Sequence, residues 1–170
     1  MGERKKVVQM CRDALHFVSA GKFELLVDWE TSLLRSAGTL QAELEIKHLA
    51  DVDAARGLIR NILRAKGWDR QSTLHIMLAV SEGVTNVLKH AHSGKMEIRE
   101  TGNGMRVIVA DQGPGLNLLK LPHMIFRHGY STKSSLGYGF YIMYKVSDKI
   151  YLASSEQGTF LALDFLNRAL

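Results

Sequence analysis

The stretch from Arg70 to Ala91 has two faces, and nothing else in the chain constrains its fold as tightly. Leu74, Met77, Ser81, Val84, Leu88 and Ala91 recur at spacings of three and four, which predicts a helix packed along one side. Glu82, Asn86 and His90 follow at intervals of four. They therefore stand about 40° apart around the axis, on the side away from Val84 and Leu88. Such a helix rests on a core and presents polar chemistry at once. Asp69 and Ser72 are its candidate caps.

The pattern around this helix predicts the sheet it needs. Lys95–Thr101 and Met105–Ala110 read as neighbouring strands joined by the turn signal Thr101-Gly102-Asn103-Gly104. Val107 to Ala110 is apolar on both faces, as in a strand inside a covered sheet. Residues 41–49 alternate as a strand, with Leu44, Ile46 and His48 on one face. Asp51 or Asp53 then caps a helix through Lys66, whose apolar stripe is Val52, Ala55, Leu58, Ile59 and Ile62. Residues 5–36 read as one or two helices broken near Gly21. Residues 112–136 mix Gly113, Pro114, Gly115, Pro122 and Gly129 with the apolar run LNLLKLPHMIF, which predicts a mobile lid carrying one short helix. A helix over 138–146 follows, then strands over 148–154 and 159–165 across Glu156-Gln157-Gly158.

This order predicts an α+β two-layer sandwich: a mixed β-sheet, helices on one face, and a cleft between the helix layer and the lid. A chain of 170 residues holds one domain with a real core and is short for two. The expected division is a helical N-terminal extension over 1–38 and a binding domain over 39–170.

Composition removes several function classes. No uncharged apolar run reaches the ~18 residues that cross a bilayer, and the start lacks the apolar core of a signal peptide, so a cytoplasmic protein is expected. The single cysteine, Cys11, excludes an internal disulfide and argues against a thiolate metal site. The net charge of +5 collects partly at Arg4, Lys5, Lys6 and Arg12. No zinc-finger spacing, aromatic RNA-binding stripe or arginine tract accompanies it, which argues against nucleic-acid binding. Trp29 and Trp68 read as packing residues. His16, His48, His75, His123 and His128 have no metal-binding spacing.

Three separated groups of polar residues remain, and they fit one nucleotide pocket. Glu82 and Asn86, one helical turn apart, can face the same point. The Asn86 amide oxygen suits a hard cation such as magnesium, and Glu82 can orient or deprotonate a hydroxyl. Asp111 ends an apolar strand where its carboxylate can accept from an exocyclic amine such as that of adenine, while Gly113 and Gly115 let backbone approach a flat base. Ser131, Thr132 and Lys133 offer hydroxyls and an ammonium just before Gly137, Gly139 and an apolar helix, a setting that attracts phosphate. Each group has a bland alternative: an exposed helix face, a self-bonded turn, a plain loop. Together they suggest an ATP–magnesium site under a glycine-rich lid. Gly-x-Gly-x-x-Gly after the first strand and the phosphate-loop Gly-Lys-Ser/Thr are both absent.

Across residues 41–165 the chain resembles the GHKL ATP-binding superfamily shared by gyrase, a heat-shock chaperone, histidine kinases and mismatch-repair proteins. Within it the chain is most similar to the bacterial anti-sigma regulatory factors, small serine/threonine protein kinases. Their Glu-x3-Asn-x3-His matches Glu82, Asn86 and His90, and their Asp-x-Gly-x-Gly matches Asp111, Gly113 and Gly115. Their lid glycines match Gly137 and Gly139, and a late Gly-Thr matches Gly158 and Thr159. The resemblance implies the histidine-kinase-like ATPase fold, ATP and Mg2+ as cofactors, Glu82 as general base, Asn86 as metal ligand, Asp111 as adenine reader and Thr159 close by.

GYSTKSSLGYGF is particularly similar to the lids of stressosome switch kinases. That likeness implies a STAS-domain anti-sigma antagonist as phosphoacceptor and a PP2C-type phosphatase as the partner taken up afterwards. The binding-module alternative adds a sigma factor, and the N-terminal segment offers a dimerisation helix for a homodimer, a partner-docking element or a cover for the sheet edge. An ATP-gated binding module with little catalysis and a detached histidine-kinase domain are the competing readings. Ser134 and Ser135 stand where that family often has glycine, and the first 38 residues are additional to a minimal domain.

Overall fold

Alternation along β4 (Gly104–Asp111) sends Met105, Val107 and Val109 one way and Arg106 and Ile108 the other, and all five are buried. A strand hidden on both faces sits inside a sheet. The computed structural model describes residues 2–126 and 136–168. The other strands are β1 (Phe23–Leu25), β2 (Thr39–Ile46), β3 (Gly94–Thr101), β5 (Lys149–Ser155) and β6 (Gly158–Leu166). They form one six-stranded sheet in the order β1-β5-β6-β4-β3-β2. β1 runs parallel to β5, and the remaining neighbours are antiparallel.

The helices are α1 (Glu3–Val18), α2 (Asp28–Ser36), α3 (Ala50–Ala65), α4 (Arg70–His90), α5 (Leu121–Phe126) and α6 (Leu136–Val146), with a 3-10 turn at Leu118–Lys120. Leu15 of α1, Ile59 and Leu63 of α3, Val80 and Val84 of α4, Ile125 of α5 and Met143 of α6 pack with Met96, Val107 and Leu163 into the main core. Each such side chain removed from water contributes about 1.5–3 kcal/mol. The expected α+β sandwich, a mixed sheet with helices packed against it, is therefore what forms. The expectation of helices on one face alone is corrected by α2: its Leu34 packs with Leu26, Ile108, Phe160 and Ala162 on the sheet's other face, in a smaller cluster that the main core does not include. Beneath it Arg106 makes a bidentate pair with Asp164, at 2.6 and 2.8 Å, and donates from Nη1 to the Leu34 carbonyl at 3.3 Å.

Several local expectations change. Residues 23–25, predicted helical, are strand β1, because the open edge of β5 takes their backbone groups. Phe23 and Leu25 then point into the main core, and Glu24 pairs with Lys149 at 2.9 Å. The chain does break near Gly21, where Ala20 and Gly21 adopt positive φ and the Ser19 hydroxyl accepts from the Phe23 amide at 2.9 Å. β2 stops at Ile46, so His48 is an exposed residue outside the strand. Leu49, not an aspartate, occupies the cap position of α3. Asp51 instead accepts from the Lys47 and His48 amides, both at 2.7 Å, and clamps the turn before the helix.

The buried face of α4 is also rotated from expectation. It runs through Ile76, Ala79, Val80, Gly83, Val84 and Val87, while Leu74 is 53% exposed. Small residues at 79 and 83 let the helix lie closely on the sheet, which the three-and-four spacing of larger residues did not reveal. Its start is as expected, with the Asp69 carboxylate accepting from the Ser72 amide at 2.9 Å. Trp68 packs against the main core; the side chain of Trp29 lies outside the described residues.

Candidate functional site

The C-terminal half of α4 lies across the end of β4, and this crossing brings distant parts of the sequence together. Asn86 and His90 from α4, Asp111 from β4, Gly115 from the following turn and Thr159 from β6 line one cleft. Val87, Leu161 and Phe140 supply its apolar walls. The cleft is narrow, about 40 Å³. That is room for a few waters between its walls.

Register explains why Asp111 and Thr159 meet: they are cross-strand partners in the β4–β6 ladder. Asp111 Oδ1 accepts from the Gly113 amide at 2.8 Å and the Thr159 amide at 3.2 Å, so this oxygen holds both the turn and the neighbouring strand. Gly115 has φ +77°, and a Cβ there would lie 2.1 Å from the Ser155 carbonyl oxygen, so only glycine closes the turn this way. Ser154, which sequence reasoning did not single out, accepts from the Leu116 amide at 2.7 Å and stands 3.5 Å from the Thr159 hydroxyl. A signal for it existed. A two-residue Glu156–Gln157 hairpin turn pairs 155 with 158 and so 154 with 159.

Two polar atoms in the cleft have no partner among the described residues. Asn86 Nδ2 and His90 Nε2 are buried without a hydrogen bond. Leaving such groups unpaired costs about 1–3 kcal/mol each, so a ligand with polar atoms fits this cleft. Burial, helped by nearby Lys89 and opposed by Asp111, pushes the His90 pKa down and favours the neutral ring.

Glu82 sits one helical turn from Asn86, just outside the cleft lining, and faces α6. A Cβ on Gly139 would lie 2.7 Å from Glu82 Oε2, so glycine at 139 leaves the carboxylate its space. Burial raises the Glu82 pKa, and Lys89 offsets part of the rise. Gly137 lies in the first turn of α6. Ser131, Thr132 and Lys133 lie outside the described residues. Among the described residues no three histidine, cysteine or acidic side chains cluster as a metal site.

Comparison with known proteins agrees with this architecture. Residues 47–165 match the model of the histidine kinase-like ATPase domain. The chain is 30% identical over 114 residues to the serine/threonine-protein kinase RsbT of Bacillus subtilis, covering 64% of this chain and 84% of that one. The SiaB–SiaC complex from Pseudomonas aeruginosa superposes with a TM-score of 0.58 at 12% identity, over 81% of this chain and 95% of the other. The RsbU and RsbW domains of a Mycobacterium tuberculosis protein give 0.52 at 18% identity, over 74% of this chain but only 32% of that longer one. At such identities the two structures establish shared fold. No described helix is long and apolar enough to cross a membrane. The chain belongs to the histidine kinase-like ATPase domain family, as a GHKL-type domain related to the anti-sigma regulatory kinases.

Proposed function

We propose that the protein is an ATP-dependent serine/threonine protein kinase that phosphorylates a STAS-domain partner in partner-switching regulation. The observation that carries this is Glu82: half-buried, its pKa raised, given room by Gly139 and one turn from Asn86, whose Nδ2 has no partner among the described residues. The similarity to the serine/threonine-protein kinase RsbT supports the same reaction class. Bound ATP with Mg2+ supplies the transferable phosphoryl group. Around it Asp111 accepts from the adenine amine, Thr159 flanks the base and Asn86 offers its amide oxygen to the cation. His90, kept neutral, fills the polar corner beside them, while Gly113 and Gly115 bring backbone close. Ser131, Thr132, Lys133 and Gly137 meet the phosphates. Glu82 would take the proton of the acceptor hydroxyl as that oxygen bonds to the γ-phosphorus, whose bond to the bridging oxygen breaks so that ADP leaves. In this scheme residues 39–170 form the nucleotide-binding unit of a cytoplasmic protein.

The test pairs calorimetric Mg-ATP titration with transfer of labelled phosphate to the STAS-domain protein co-purified from cells. Glu82→Ala is expected to bind Mg-ATP with near wild-type affinity while transfer falls by about 10²–10⁴-fold. Undiminished transfer removes Glu82 from its role. The second reading is an ATP-gated binding module with little catalysis, in which nucleotide in the same cleft creates a surface for a partner. In that case Mg-ATP switches capture of a PP2C-type phosphatase or a sigma factor in pull-downs, and no phosphate transfer accompanies it.

A further inference from the structure

We propose that a second cleft, at the N-terminal end of α4 and away from Asn86 and His90, is a ligand site for a phosphate monoester. It lies between the first turns of α4, the last turn of α6, the approach to β1 and the end of β6, and it holds about 420 Å³. That volume falls within the ~300–1,000 Å³ of small-molecule sites. Ser72 on its wall and Glu82 are ten residues apart in one helix, a separation of about 15 Å, so the cleft is distinct from the nucleotide site.

Lys22, Lys145 and Arg168 reach this cleft from three separate segments, and Asp148 is the carboxylate among them. Asp148 is already engaged, accepting from the Leu166 amide at 2.7 Å and from Arg168 Nη2 at 2.5 Å. Lys22 and Lys145 rest instead against rings, 4.6 Å from the Tyr144 centroid and 5.7 Å from that of Tyr141. Among the described residues neither has a carboxylate within ion-pair distance. Three cations against one carboxylate leave two positive charges, the complement of a phosphate monoester dianion.

The crowding is felt at Lys22. Burial lowers its pKa, Asp148 opposes that, and Lys145 and Arg168 lower it further. An anion bound between them relieves the repulsion. Trp68 and Phe165 form an apolar wall on which the organic part of an ester can pack.

Phenyl phosphate titrated calorimetrically into the full chain tests the site independently of the nucleotide cleft. The expected result is binding that weakens with salt, with phenol giving no heat. Combining Lys22→Ala with Lys145→Ala is expected to weaken it by about tenfold or more while Mg-ATP binding is unchanged. Asp111→Asn, in the other cleft, is expected to retain it. Arg168→Ala, at a side chain 82% exposed, is a second variant that leaves the fold intact and is expected to weaken binding as well. A phosphoserine peptide run beside phenyl phosphate separates the sources: tighter peptide binding assigns the cleft to a phosphorylated protein segment, weaker binding to a free metabolite. The proposal is overturned by full binding in the double-lysine variant, by loss in Asp111→Asn, or by no binding of either phosphate probe.

Discussion

Replacing Gly139 by alanine separates the stability of α6 from the position of Glu82. A Cβ at 139 would stand 2.7 Å from Glu82 Oε2, whereas ordinary contact begins at 3.4 Å, so the carboxylate must retreat by roughly 0.7 Å. The atom met is the far end of a flexible side chain, and an off-rotamer adjustment costs about 0.5–1.5 kcal/mol. Against this, alanine gains about 0.8–1 kcal/mol over glycine inside a helix. The two nearly cancel, and Gly139→Ala is expected to melt within about 4 °C of wild type. Gly57→Ala in α3 is the control: a Cβ there meets nothing within 4 Å, so the helix gain appears alone. Phosphate transfer should respond differently. Displacing a catalytic group by about 1 Å costs on the order of 10²-fold, so Gly139→Ala is expected to lose about 10- to 100-fold while Gly57→Ala keeps full rate. Scanning calorimetry and single-turnover transfer of labelled phosphate measure both. Wild-type transfer by Gly139→Ala would refute the reasoning about Glu82. A stability loss above about 2 kcal/mol would show that the contact is with something less yielding.

Two further outcomes follow from the same geometry. The raised pKa of Glu82 means the folded state binds more protons than the unfolded chain, so stability falls as pH rises from the ordinary glutamate range through the raised value. Glu82→Gln removes that slope, and denaturant titrations are expected to show it more stable than wild type near pH ~7 but equal near pH ~4. A gap that stays constant with pH would rule this out. On the other side of the sheet, Arg106→Ala strands the Asp164 carboxylate and releases the Leu34 carbonyl. Asp164 keeps a 20% exposed side chain, so the expected loss is about 2 kcal/mol, below that of a fully buried pair. Hydrogen exchange over residues 28–36 should accelerate first; unchanged exchange there would mean that Arg106 does not anchor α2.

Much of the frame is legible in the sequence. Hairpin β3–β4 was readable because Thr101-Gly102-Asn103-Gly104 is a local signal between alternating residues, and the start of α4 because Asp69 caps it within one turn. Glu82, Asn86 and His90 were readable as a set because helical spacing alone puts them on one face. The same was true of Asp111 followed by two glycines, since a strand end and a turn are short-range events. Local sequence carries such features because backbone dihedrals and side-chain spacing settle them within a few residues.

Tertiary structure decided what depends on distant neighbours. Residues 23–25 have too little of their own pattern to choose strand over helix, and the edge of β5, more than 120 residues away, chooses for them. The rotation of α4 onto Ala79 and Gly83 is set by how closely the sheet admits it, which residue size along the helix does not announce. The local β5–β6 hairpin sets Ser154 beside Thr159, but only the β4–β6 register brings that pair to Asp111, and Gly139 meets Glu82 only because α6 packs on α4. The cluster of Lys22, Lys145 and Arg168 is likewise invisible along the chain. Charges that far apart acquire meaning only when folding sets them around one cavity.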